Sequence, residues 1–154
     1  MKRVIENLNE MSFDLPENWA VSQDKYQLIN GQGFINNENY ISPEGKVVSL
    51  FEIQRDPEEF FDSYQSLVES YNAKQDGLEF GLQFSISVNG FSFPVYILKG
   101  TKEPAIYIVQ IFINCGDCLG CFMFNVENFF EDRKEIMSKN KIFKDVNQIL
   151  RTIE

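Results

Sequence analysis

Residues Ile106–Val126 read IYIVQIFINCGDCLGCFMFNV, two apolar runs on either side of a short segment that contains Gly116 and Asp117. Glycine accepts the positive φ that a two-residue hairpin loop demands, so Gly116 and Asp117 are predicted to be the loop of a long β-hairpin. Counting outward from that loop gives the register of the two strands. One face then carries apolar pairs throughout: Ile113 with Gly120, Ile111 with Phe122, Val109 with Phe124, and Tyr107 with Val126.

The other face of this hairpin is mixed. Its pairs are Asn114 with Leu119, Phe112 with Cys121, Gln110 with Met123, and Ile108 with Asn125. A slip of one residue would exchange the two faces, and the apolar pattern therefore fixes the register. Because both faces contain large apolar side chains, we expect the hairpin to lie at the centre of a sheet with helices on each side.

Two more strands are predicted just before this hairpin. The segments 78–87 and 91–98 alternate loosely between apolar and polar residues, and Asn89-Gly90 between them is a strong hairpin signal. Pro94 lies inside the second segment and predicts a bulge or an edge position, because proline cannot donate a backbone hydrogen bond. Together with 106–126, these segments predict an antiparallel meander of four strands.

The N-terminal third of the chain predicts further strands. Met11–Leu15 alternates with its apolar residues inward, and a turn at Pro16–Asn18 precedes Trp19, which is predicted to anchor the core. Residues 46–55 also alternate and predict a strand. Residues 30–45 are rich in Asn, Gly and Gln, and they predict an irregular loop that includes one strand at most.

Helical patterns come before and after the meander. Asp56 is a favourable cap, and Pro57 suits the first turn of a helix that carries an aromatic stripe and ends near Asp76-Gly77. Apolar residues recur at helical spacing again over 128–139 and 140–154.

This order of elements predicts an α+β fold. It is an antiparallel β-sheet meander flanked by helices on both faces, which makes an α/β/α sandwich. We expect a single domain over residues 1–154, with 1–10 as an N-terminal arm or edge strand.

A family resemblance rests on two segments: SFDLPENW at 12–19, and the strand at 50–56, which ends in Arg-Asp and leads into an amphipathic helix. With the Asn-Gly turn of the meander and a C-terminal helix, the chain resembles the Mog1/PsbP-like fold over about residues 10–153, and within it the bacterial domains of the DUF1795 type. Members are mostly non-enzymatic binders: nuclear-import factors that contact a GTPase, photosystem accessory subunits, and chaperones that hold hydrophobic segments of secreted effectors. The resemblance therefore implies a binding module, without naming its partner.

Composition argues against several classes of function. The 154 residues are 44% hydrophobic, which argues against disorder, and a net charge of −9 is unsuited to nucleic acid or an anionic membrane. The chain has no histidine, which removes Ser-His-Asp and Cys-His catalysis and histidine-ligated zinc. No apolar run approaches the ~20 residues of a membrane helix, and the N-terminus has no apolar signal core. We therefore expect a cytoplasmic protein without membrane insertion, in which the cysteines are reduced.

The cysteines form a C-x-x-C-x-x-C run at Cys115, Cys118 and Cys121, the spacing of the first three ligands of a bacterial iron–sulfur site. The family does not require this run, and the chain has neither a fourth cysteine nor a histidine. We expect reduced thiols, with Cys115 and Cys118 at an exposed turn, Cys121 buried, and no metal or cofactor. The alternative is a thiol-redox or metal-binding protein centred on this run.

Aromatic residues are numerous for one core of this length: 15 phenylalanines, six tyrosines and one tryptophan. Phe34 and Tyr40 in the Asn-rich loop, and Phe91 and Phe93 on the strand interrupted by Pro94, fit the predicted core least well. Exposed aromatic side chains on rigid elements are favoured interface anchors, so these four are the predicted binding residues. We expect a non-enzymatic module that binds an unknown protein partner, basic or apolar rather than acidic, with a homodimer as a further option.

Overall fold

A computed structural model describes the chain over residues 2–5, 11–22, 34–53, 56–64, 78–100, 107–116, 118–126 and 140–154. Its strands are β1 (Lys2–Ile5), β2 (Ser12–Leu15), β3 (Ala20–Ser22), β4 (Phe34–Ile41), β5 (Val47–Ile53), β6 (Leu78–Val88), β7 (Phe91–Gly100), β8 (Tyr107–Asn114) and β9 (Leu119–Val126). Helix α1 is described over residues 57–64, and helix α2 is Lys141–Leu150.

These strands make one large antiparallel sheet and one small one. The large sheet has the order β3-β4-β5-β9-β8-β7-β6, and β1 pairs separately with β2. Every described pairing is antiparallel. The predicted antiparallel sheet and its four-stranded meander, β6 to β9, are confirmed.

The hairpin of β8 and β9 has the predicted register at all eight pairs, from Tyr107–Val126 to Asn114–Leu119. Gly116 has φ of 99°, as a primed turn requires, and the N–H of Cys115 donates to the carbonyl of Cys118 at 3.0 Å. Asp117 lies outside the described residues. The two strands are the fourth and fifth of the seven, which confirms the central position.

The strand that the predicted loop over residues 30–45 allowed is confirmed, and it takes up half of that segment. Phe34–Ile41 is an eight-residue strand that pairs with β3 on one side and β5 on the other, with an irregularity between Asn36 and Glu38. Its Asn-rich sequence is a poor strand former by itself. Pairing with the buried strand β5 supplies the stabilisation that the local sequence lacks.

One core cluster lies between the large sheet, β2 and α2. The ring of Phe13 in β2 meets those of Tyr40 and Phe122 edge-on at 5.7 and 5.6 Å, and Phe143 of α2 packs on Phe124 at 6.0 Å. Asn140 caps α2 by accepting the N–H of Phe143 at 2.9 Å. Trp19 is half-buried against the same cluster. The predicted inward positions of β2 and α2 are buried in it: Met11, Phe13, Leu15, Ile142, Phe143, Val146, Ile149 and Leu150.

A second core cluster lies on the opposite face of the large sheet, where α1 packs. Asp56 caps α1 as predicted, because its Oδ2 accepts the N–H of Glu59 at 3.2 Å. Phe60 and Tyr64 contact Phe112, at 5.5 and 5.6 Å between ring centroids. The full α/β/α layering stays a prediction, because the remaining predicted helical residues lie outside the described part of the chain.

Candidate functional site

The four aromatic residues predicted to bind a partner have different surroundings. Tyr40 and Phe93 are 1% and 3% exposed, so the prediction that they stand outside the core is wrong. Both point toward α2 because they occupy inward positions of β4 and β7. The side chain of Phe34 lies outside the described residues. Phe91 is 60% exposed. Among those of the four side chains that the structure describes, it is the one that lies at the surface.

Phe91 is held rigidly by the hairpin that precedes it. Asn89 and Gly90 have φ of 52° and 83°, as in a type I′ turn, and Val88 pairs with Phe91 directly after that turn. Other large apolar side chains at the surface include Ile35 and Val21, which are 50% and 40% exposed. Phe91 differs from them because it borders a depression in the surface.

That depression, called here the apolar depression, has a volume of about 270 Å³. It opens on the face of the sheet that carries α2, and most of its lining is apolar. The residues that line it are Met11, Phe91, Ser92, Phe93, Ile113, Asn114, Cys115, Ile153 and Glu154.

A second depression, called here the acidic depression, opens on the face that carries α1 and has a volume of about 540 Å³. Glu58 and Asp62 stand one helical turn apart at its rim, and both are exposed. None of the described residues that line either depression is a lysine or an arginine. The lining residues are Pro57, Glu58, Phe61, Asp62, Ser92, Pro94, Asn114 and Leu119.

Ser92 and Asn114 line both depressions, and they lie at the same end of β7 and β8. The described pairs of β7 and β8 run from Lys99–Tyr107 to Val95–Ile111. No pair is described on the far side of Val95–Ile111. Extending the register would put Ser92 opposite Asn114.

Pro94 explains why the pairing stops at that point. Val88 and Phe91 close a two-residue loop, and in such a hairpin alternate residues turn their backbone groups to the partner strand. Ser92 and Pro94 therefore turn theirs away from β6, toward β8. Proline has no N–H to donate, so the hydrogen bonds between β7 and β8 lack one donor at this position. The predicted bulge or edge position at Pro94 is wrong, because β7 lies between β6 and β8 in the sheet and the β6–β7 register passes Pro94 without a shift.

The cysteines do not come together. All three are reduced; Cys115 is half-buried beside the apolar depression, and Cys118 packs in the cluster under α2. Cys118 is 7% exposed, so its predicted position at an exposed turn is wrong. The segment that leads from the loop into β9 turns the side chain of Cys118 inward.

Cys121 is buried in the other cluster, on the α1 face, as predicted. Burial raises the pKa of its thiol well above the ordinary value. Because the thiols point into clusters on two faces of one sheet, they cannot ligate a single ion together. Over the described residues there is also no group of three or more cysteine and carboxylate side chains that could hold a metal.

Comparison with known proteins identifies the fold. No protein-family model and no curated protein matches the sequence. The solution structure of the cyanobacterial PsbP, CyanoP, from Synechocystis sp. PCC 6803 is similar with a TM-score of 0.58 at 8% identity, over 99% of this chain and 90% of that one. The chain has the Mog1/PsbP-like fold. This confirms the resemblance at the level of fold, whereas membership of the DUF1795 type stays a prediction.

A second similar structure is a crystal structure from Bacteroides thetaiotaomicron, with a TM-score of 0.54 and 12% identity. It aligns over 99% of this chain, which spans about half of that protein, 47% of its length. At such identities the likeness establishes the fold and not an activity. In the described part of the chain, no helix combines the length and apolar character needed to cross a bilayer.

Sequence reasoning missed Ser92, Asn114 and the acidic rim of Glu58 and Asp62. The signal for the missing donor between β7 and β8 was present in the sequence. Counting from the Asn89-Gly90 turn shows that Pro94 turns its missing N–H toward the next strand. The rim could not be found in that way, because it depends on where α1 crosses the sheet.

Proposed function

We propose that the protein is a non-enzymatic protein-binding module, an adaptor or a chaperone, that holds its partner at the end of the sheet around Phe91. The observation that carries the proposal is the position of this side chain. Phe91 is an exposed phenylalanine on a paired strand, and it borders an apolar depression of about 270 Å³.

A rigid aromatic side chain beside a pocket is the usual form of an interface anchor, because it buries a large area and loses little conformational entropy. Phe91 has these properties. Cys115 and Ile153, which are half-buried, line the same depression, together with the buried side chains of Met11 and Phe93. A partner side chain in the depression would therefore bury apolar surface on both partners.

The chemistry of the chain supports binding rather than catalysis. It has no histidine, and the carboxylates at this end of the sheet, Glu58 and Asp62, are exposed to water. Cys115 borders the depression as a reduced thiol, with its Sγ donating to the carbonyl of Ile113 at 3.6 Å. This arrangement offers a partner apolar surface and negative charge.

The proposal also includes the predictions from the sequence about domain organisation, location and the charge of the partner. We take residues 1–154 as a single domain with helices over both faces of the sheet, located in the cytoplasm, where its thiols stay reduced. The net charge of −9 favours a basic or apolar protein partner over nucleic acid.

A photo-crosslinking amino acid placed at position 91 tests this proposal, with the same amino acid at position 35 as the matched control. Both positions carry exposed apolar residues on paired strands, but Ile35 does not line either depression. In cells, position 91 should give a discrete crosslinked product that mass spectrometry identifies and that position 35 does not give.

The identified partner is then purified, and its Kd is measured for the wild type, Phe91→Ser and Ile35→Ser. Loss of an anchor side chain should raise Kd by about 30-fold, while the control stays within about twofold. Equal effects of the two substitutions, or an unchanged Kd for Phe91→Ser, would refute the proposed site.

A further inference from the structure

We propose that the protein forms a homodimer in which strand β6 of one copy pairs antiparallel with β6 of a second copy, about a two-fold axis at Ser85. The two large sheets would then join edge to edge into one continuous sheet. This inference goes beyond the proposed function and does not rest on it, because Phe91 lies on β7 and is not part of the pairing edge.

Strand β6 is the long edge of the large sheet. The strand order ends at β6, and within the described part of the chain only β7 pairs with it. The strand at the other edge, Ala20–Ser22, has only three residues and offers little to pair with. Natural sheets commonly protect a long edge with a charge, a proline or a bulge. The segment Leu82–Val88 has no charge and no proline, and the irregularity in the β6–β7 register lies before it.

Alternate residues of this segment turn their backbone groups outward. Val88 and Phe91 close the two-residue hairpin loop, so every second residue counted back from Val88 shares hydrogen bonds with β7. The residues between them, Gln83, Ser85 and Ser87, therefore direct their N–H and carbonyl groups away from β7. All three are exposed residues. Each can donate and accept one backbone hydrogen bond with a further strand.

The side chains of this segment fit a second copy of the same segment. A two-fold axis at Ser85 places Ser85 opposite its own equivalent, and Gln83 opposite Ser87 of the second copy. These neutral polar side chains share the α1 face and can hydrogen-bond across the strands. On the α2 face, Phe84, which is half-buried against the core, meets Ile86 of the second copy. Such a pair of an aromatic and a β-branched residue is favourable in sheets.

Charge makes a second copy the occupant that fits this edge. Each copy carries a net charge of −9, which opposes association wherever charged surfaces meet. Residues 80–98, which make up most of β6 and β7, contain no charged side chain. Pairing through β6 therefore brings no like charges into contact, and a basic strand would find no carboxylate opposite it in this segment. The two-fold axis uses this edge in both copies, so the assembly closes as a dimer.

Sedimentation analysis of the full chain over a range of protein and salt concentrations measures the dimer Kd. The wild type should dimerise, and its Kd should fall as salt rises, because salt screens the repulsion between two acidic copies. Ser85→Lys places two ammonium groups together at the axis and should raise Kd at least about tenfold. Val21→Lys is the matched control. It puts the same charge at an exposed residue of β3 and should leave Kd within about twofold.

Charge exchange at the same positions tests the register. Ser85→Glu alone should also weaken the dimer, and mixing it with Ser85→Lys should give a mixed dimer with a Kd within about threefold of the wild type. In a single chain, Gln83→Lys with Ser87→Glu should keep the dimer, whereas Gln83→Lys with Ser87→Lys should dissociate it. Recovery of the dimer by the matched charges also shows that the variants fold.

Each outcome decides the inference. A wild-type protein that is still monomeric at about 1 mM overturns it. A dimer that Ser85→Lys and Val21→Lys weaken equally, or that neither weakens, overturns the assignment to β6. If the Ser85→Lys and Ser85→Glu proteins form no mixed dimer, the two-fold axis at Ser85 is wrong.

Discussion

Replacing Phe122 by alanine tests the central position of the hairpin. Phe122 is fully buried in β9, paired with Leu50 of β5 on one side and Ile111 of β8 on the other. Its ring meets that of Phe13 edge-on, with 5.6 Å between centroids. The substitution therefore removes a large side chain from the point where the sheet and β2 pack together.

The expected loss of unfolding free energy follows from this burial. Phenylalanine-to-alanine changes in cores cost ~3–5 kcal/mol, and a lost edge-to-face ring pair accounts for ~1 kcal/mol of such a cost. Leu50 and Ile111 are held in paired strands, so the surrounding structure can collapse little into the cavity. We expect a loss of ~4 kcal/mol, a large share of the ~5–15 kcal/mol that holds a domain folded.

Urea unfolding followed by the fluorescence of Trp19 measures this loss, because this single tryptophan packs against the same core cluster. Phe91→Ala is the matched control. It removes the same atoms from an exposed position and should cost under ~0.5 kcal/mol. A loss below ~1 kcal/mol for Phe122→Ala, or equal losses for both variants, would show that the register or the central position is wrong.

Four further predictions concern stability. Tyr40→Ala should cost ~3–5 kcal/mol in urea unfolding because the side chain is core, and an unchanged midpoint would contradict its burial. Cys115→Ser should be nearly neutral, whereas Cys118→Ser and Cys121→Ser should each cost ~1–3 kcal/mol, and a thiol reagent should modify Cys115 first in the native protein. Burial raises the pKa of Cys121 in the folded state, so the contribution of its neutral thiol to the free energy of unfolding is complete below about pH 8.5 and is lost as pH rises further. A Cys121→Ser protein that loses the same stability at alkaline pH would refute this. Asp56→Ala should cost ~1 kcal/mol through loss of the helix cap, with an undiminished Tm as the contrary result.

Local chemistry was enough to predict the parts of the fold that depend on neighbouring residues in the chain. The loop at Gly116 and the Asn89-Gly90 turn need positive φ, which fixes where the hairpins reverse. Strand side chains alternate with a period of two, so the eight pairs of β8 and β9 follow from the loop. The cap Asp56 marks where α1 begins, since a cap acts on the backbone within three residues of itself.

The site depended on contacts between distant parts of the chain. Tyr40 lies in an Asn-rich segment that predicts a loop, yet pairing with β5 makes a strand of it and turns the ring against Phe13. The apolar depression joins Met11 and Ile153 with the start of β7, and the acidic rim exists because α1 crosses the sheet beside Pro94. Which side chains remain at the surface is set by what the rest of the chain covers, and burial is a property of the packed molecule rather than of a local stretch. The sequence by itself therefore determined the turns, the register and the missing backbone donor at Pro94, and the tertiary structure decided that this end of the sheet has an apolar depression on one face and a pair of carboxylates on the other.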